Sequence, residues 1–153
     1  MKKLLPGNSY SLAVDFVAMF YEAFVPMAET EFELSDGGRT TLSWKGVFSL
    51  AALGTTGHKT YGAGKKILPD DDNFCLGAVK SPFTKLSYRK PVYEGTHRSL
   101  KGIQFASGDC LKVTSPVRIP LQMDGEVLWL DPANFPLTLS IKDRGLRVLK
   151  PFG

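Results

Sequence analysis

The chain has 153 residues, 43% hydrophobic and 22% charged, with 19 Lys and Arg against 15 Asp and Glu for a formal net charge of +4. That length suits one domain with a core of its own, and the mean hydropathy of −0.06 fits a soluble globular protein. The basic excess is mild and scattered, with only the pairs Lys65-Lys66 and Arg89-Lys90. Nucleic acid is therefore not an expected partner, while an anionic membrane surface or a phosphate-bearing ligand stays open.

Met1-Lys2-Lys3 before an apolar stretch imitates a secretion signal, but Pro6-Gly7-Asn8 interrupts it and Asp15 and Glu22 lie inside the apolar part. No run reaches the roughly 20 apolar residues needed to span a bilayer. The expected location is the cytoplasm, with the protein free or peripheral at a membrane. Cys75 and Cys110 lack metal-ligand spacing and read as buried free thiols of a reducing compartment.

Asn8 or Ser9 can cap a helix over residues 10–25 that Pro26 closes. It is apolar nearly all round, with Asp15 and Glu22 on one narrow polar face, so something must cover it: a sheet, a partner domain or lipid. From Glu29 the period changes to two. Glu29, Glu31 and Glu33 alternate with Thr30, Phe32 and Leu34, Asp36-Gly37-Gly38 turns the chain, and Thr40–Trp44 returns. Residues 47–53 are a continuous apolar run, as in a central strand.

Residues 54–66 are glycine-rich but do not form a Walker loop: His58 separates Gly57 from Lys59 and no helix follows. Asp70-Asp71-Asp72 can hold a hard cation or form a solvated turn, without the spacing of a calcium-binding EF-hand loop. A strand over residues 74–79 comes next. Residues 80–98, with Pro82, Pro91 and Gly95 among polar residues, read as a long irregular connection. Residues 103–105 and 110–113, around Ser107-Gly108-Asp109, read as a hairpin.

The clearest turn signal is Asp124-Gly125, a favoured pair for a two-residue hairpin. In that register Met123 faces Glu126, Leu121 faces Leu128 and Ile119 faces Leu130, which leaves Glu126 at the end of an apolar row. If the row is buried, Glu126 is partly desolvated and suited to general-base work. The plainer alternative is a hairpin tip pointing into water. Asp131–Asn134 then turns the chain into a strand over 137–141, Asp143-Arg144-Gly145 turns it again, and 147–149 ends it. The sum is a mainly β fold, most economically a two-sheet β-sandwich with one N-terminal helix, forming a single domain over 1–153.

The order Tyr61-Gly62-Ala63-Gly64, Pro69 with Asp71-Asp72-Asn73-Phe74, Gly95-Thr96, Pro120-Leu121-Gln122-Met123-Asp124-Gly125-Glu126 and Val148-Leu149-Lys150-Pro151 resembles the C-terminal domain of diacylglycerol and sphingosine kinase-like lipid kinases. Only the Gln-x-Asp-Gly-Glu stretch is specific by itself. The resemblance implies that Glu126 takes the proton from the lipid hydroxyl and that Asp124 helps organise the phosphate and magnesium side. It further implies a structural magnesium at Asp72, with backbone oxygens near Pro69 and Phe74. Here Asn73 stands where the family has Gly, and the segment from Pro69 to Asp72 is shortened. Such kinases hold ATP on a Gly-Gly-Asp-Gly-Thr loop of an N-terminal α/β domain. This sequence contains no such loop, so the resemblance implies a chain that is inactive alone and works with a nucleotide-binding domain, in the same protein or in trans, on a lipid substrate. Two non-catalytic readings compete: a lipid- or protein-binding sandwich, and a carbohydrate-binding one using Trp44 or Trp129.

Overall fold

The structure, a computed structural model, describes residues 13, 16, 17, 19, 20, 27–54, 65–69, 71–123 and 126–141. Within the expected first helix, residues 13, 16, 17 and 19 are helical and residue 20 is a bend; its other positions, the 55–64 loop with His58, Asp70, Asp124, Gly125 and the end of the chain from 142 lie outside the described residues.

The alternation read from residue 29 produces strand β1 (Thr30–Asp36), and β2 (Arg39–Gly46) pairs back on it antiparallel. Gly37 and Gly38 both take positive φ, 54° and 79°, as the tight turn between them requires. On β1, Phe32 and Leu34 are buried while Glu31 and Glu33 are exposed. β6 (Cys110–Thr114) lies on the other side of β1 and β9 (Leu137–Ser140) beyond it, so the sheet order is β2-β1-β6-β9. Phe32 stands opposite Val113 and Leu34 opposite Leu111, which in turn meet Leu137 and Leu139. One face of this sheet is thus a continuous apolar surface.

A second antiparallel sheet has the order β3-β4-β5, from Leu50–Leu53, Phe74–Gly77 and Ile103–Ala106. All four residues of β4 are buried, as expected of a central strand covered on both faces. Phe74 and Leu76 join Phe32, Leu34, Leu111 and Val113 in one core to which both sheets contribute. Phe32 lies 6.2 Å from Phe74 and meets Phe48 edge-on at 5.0 Å. Cys75 is opposite Phe105 on the other face, where His97 covers Phe105 at 5.3 Å. The two sheets of a mainly β fold are therefore present.

Three expectations need correction. The apolar run 47–53 yields only a short edge strand, β3, because Phe48 turns into the core ahead of it. Residues 103–113 are no hairpin, since β5 pairs with β4 and β6 with β1 and β9. The turn between them carries the chain from one sheet to the other. Residues 80–98 are not irregular: helix α1 spans Pro82–Glu94, followed by a 3-10 turn at His97–Ser99. Ser81 caps α1 by accepting the Thr84 amide hydrogen, Pro82 takes the first turn where a missing N–H costs nothing, and Gly95 ends it in the left-handed region. Pro91 lies inside the helix, where it cannot donate an N–H to the Ser87 carbonyl one turn back.

The sheet-to-sheet turn leaves no space at Gly108. A Cβ there would lie 2.4 Å from the Ser35 carbonyl oxygen and 2.7 Å from Leu34 Cγ. Backbone cannot yield as a flexible side chain does, so Gly108→Ala is expected to lower stability by about 2 kcal/mol, measured as a shifted urea midpoint at unchanged slope.

Candidate functional site

The strands on either side of Asp124-Gly125 pair in the expected register. β7 (Ile119–Met123) and β8 (Glu126–Leu130) pair so that Met123 meets Glu126, Leu121 meets Leu128 and Ile119 meets Leu130. They make a two-stranded sheet of their own. Of the two readings of this row, the plainer one holds, with Glu126 in water. Ile119 touches the core, but Met123, Val127, Leu128 and Trp129 are all exposed, and so is Glu126. Of the row that shares a face with this carboxylate, Met123 and Leu128 next to it are in water, while Ile119, Leu121 and Leu130 are half-buried. At the base of the ribbon, Arg118 stacks on the Trp129 ring at 5.1 Å and pairs with Asp131 at 3.0 Å. Trp44, by contrast, packs against the core.

The Asp72 corner is built differently. Arg98 bonds one carboxylate oxygen of Asp72 and the Ser107 hydroxyl donates to the other at 3.1 Å. Arg98 also lies over the Phe105 ring at 5.3 Å. Pro69 packs where Gly95 has no side chain, and Phe74 is in the core with its backbone between β3 and β5. Both Asp72 oxygens thus face protein donors, Pro69 and Phe74 offer only carbonyls, and no three metal-ligating side chains cluster among the described residues. Magnesium asks for octahedral oxygen coordination, and this donor set does not fit it. No hydrogen bond or ion pair joins Glu126 to Asp72 among the described residues.

Asn73 has a task that the sequence alone did not reveal. Its side-chain amide donates to the Gly108 carbonyl at 2.7 Å, and its side-chain oxygen accepts from the Gly108 N–H at 3.1 Å. A glycine in this position would make neither bond. The pair clamps the turn between the sheets to the start of β4. His97, 2% exposed, sits nearby with Nε2 at 3.2 Å from the Ile67 carbonyl, while Nδ1 has no partner among the described residues.

Two further groups have definite electrostatics. Lys45 is raised by its hydrogen bond to Glu31, then by the attraction between the two charges. Together with Glu33 and Lys112 they line a shallow groove of about 240 Å³ over the first sheet, where acids and bases face one another. Burial pushes the Cys75 thiol up from its ordinary 9.0 to about 12, which removes it as a nucleophile near neutrality. Cys110 is only partly buried.

Comparison of the chain with known protein families, with curated proteins and with solved structures finds no match.

Two outcomes follow from this geometry. Asn73→Asp replaces the donor to Gly108 by a charged acceptor, so at neutral pH it is expected to cost about 2 to 3 kcal/mol, with part of the loss regained below about pH 4 where the acid can donate. Denaturant titrations at both pH values measure this. For Cys75 the folded state keeps its proton to higher pH than the unfolded chain, so this contribution to stability is full below pH 9.0 and falls as the pH rises toward 12. Cys75→Ala is expected to flatten that alkaline decline in thermal melts.

Proposed function

We propose that this chain is the substrate-side, base-bearing domain of an ATP-dependent lipid kinase of the diacylglycerol and sphingosine kinase type, with its two sheets arranged as the sandwich of such domains. The observation that carries the reading is the Gln122–Glu126 stretch on a free-standing β-ribbon, with Glu126 opposite Met123 at the exposed tip. Phosphoryl transfer asks a protein chiefly to position the reactants and stabilise charge, with a carboxylate to accept the hydroxyl proton. A ribbon that projects from the core, exposes Val127, Leu128 and Trp129 and ends in a carboxylate can lie along a lipid while its tip reaches the hydroxyl.

In this reading the base is Glu126. Asp124, two residues before it, helps organise the phosphate side. ATP, with the magnesium that accompanies its phosphates, belongs to a separate nucleotide-binding domain, and without that domain the chain transfers no phosphate. No step runs through a metal at Asp72, whose carboxylate ties Arg98 to the Ser107 turn. Among the described residues no helix is long and apolar enough to cross a membrane, and a cytoplasmic protein working at a membrane surface suits the lipid substrate.

The exposed ribbon and the solitary position of Glu126 also favour a second reading, a non-catalytic module that binds lipid or protein through the same apolar faces. Mutation separates the two. Assayed together with its nucleotide-binding domain, Glu126→Gln is expected to reduce lipid phosphorylation about 100-fold or more with an unchanged melting temperature, since the side chain is exposed and pairs with nothing described. Near-normal turnover removes Glu126 from the mechanism. No ATP-dependent phosphorylation of any lipid alcohol by the wild-type pair leaves the binding module.

A further inference from the structure

Helix α1 packs beside the 3-10 turn at His97–Ser99. Its inner side is held to the body by the Lys66 amide, which donates to the Val92 carbonyl at 3.0 Å, and by the Tyr88 hydroxyl, which donates to the Lys101 carbonyl at 3.1 Å. The exposed positions 83, 86, 87, 90 and 94 recur at spacings of three and four, so they form one outward stripe. At the start of that stripe Phe83 is 85% and Leu86 53% exposed. These are large apolar side chains in water on one turn, where folding has no use for them.

Their surroundings are basic. Lys80 precedes the helix, Arg89 and Lys90 occupy the turns after Leu86, and Lys101 is at the Tyr88 contact, while Lys85 falls on the inner side with Tyr88 and Val92. From 80 to 94 the sole acid is Glu94, two turns from Leu86 and 3.8 Å from Lys90. An apolar pair ringed by cations is the arrangement that enters the interface of an anionic bilayer: rings and branched chains pass below the headgroups, while Lys and Arg extend to the phosphates. The amount of apolar surface favours this occupant over a protein. Phe83 and Leu86 offer on the order of 250 Å², well under the roughly 800 Å² per partner that a stable protein interface buries.

We infer that the outer face of α1, with Phe83 and Leu86 as the inserted residues and Lys80, Arg89 and Lys90 as the headgroup contacts, docks this protein on anionic lipid bilayers. The inference stands on this helix face and does not require the kinase reading. This helix face and the β7–β8 ribbon are separate elements, so the two regions are separable by mutation.

The test is sedimentation of the full chain with phosphatidylcholine vesicles, with and without phosphatidylserine. Binding is expected only with phosphatidylserine and is expected to fade as salt is added. Phe83→Ala should weaken it about tenfold or more, and Lys80→Gln and Lys90→Gln about fivefold each. Trp129→Ala on the ribbon should leave it unchanged. All these side chains are exposed, and circular dichroism checks that the fold is intact. Failure to bind anionic vesicles assigns the face to a protein partner and overturns the inference. Binding that survives Phe83→Ala and both lysine changes, or that Trp129→Ala abolishes, overturns it equally.

Discussion

The two sheets are tied together at the turn of residues 107–109, one of the two places where the chain passes from one of them to the other. The Asp109 amide donates to the Ser35 carbonyl at 2.8 Å and its carbonyl accepts from Ile141 at 2.7 Å, tying the turn to β1 and to the end of β9. Thr41 on β2 donates to the Ser107 carbonyl at 2.9 Å. The Asn73 amide grips Gly108 from the other sheet. Gly108 must press against β1 for all of these bonds to close together, which explains why the position has no room for a methyl group. The relative placement of the sheets, and hence the Phe32–Phe74 contact at the centre of the core, rests on this crossing.

How legible a segment was depended on where its information lay. β1, β2 and the β7–β8 register are local: alternation and a Gly-Gly or Asp-Gly turn determine them within about twenty residues. Whether β5 turns back on its neighbour or crosses to another sheet is a tertiary matter, and Ser107-Gly108-Asp109 suits either route. The helix at 82–94 was missed for a different reason. Ser81, Pro82 and Gly95 are a start and a stop signal, but its outward stripe mixes Phe83 and Leu86 with Ser87, Lys90 and Glu94, so no apolar face announced it. The residues that obscured the helix are those that give its surface a purpose.

At the candidate site, pairing was readable and burial was not. Cross-strand partners follow from the turn, whereas the solvent exposure of the row depends on whether another layer covers it. The same limit applies at Asp72. A run of acids in sequence does not reveal that Arg98, 26 residues on, supplies the counter-charge, or that Asn73 clamps the turn at Gly108.

The contrast between core and ribbon bears on how such a domain can take part in catalysis. A carboxylate becomes a stronger proton acceptor when it is removed from water, and an exposed hairpin tip cannot provide that by itself. The covering surface has to come from a bound lipid, a second domain or both. A ribbon whose apolar side chains are uncovered beside an uncovered carboxylate is then half of a site: closure by the partner would bury Met123, Val127 and Leu128 and exclude water from Glu126 in one step. On the proposed kinase reading, such coupling would confine base strength to the assembled, substrate-loaded complex. A rigid two-sheet core is suited to this because it holds the base of the ribbon through Ile119 and leaves the tip to be completed from outside.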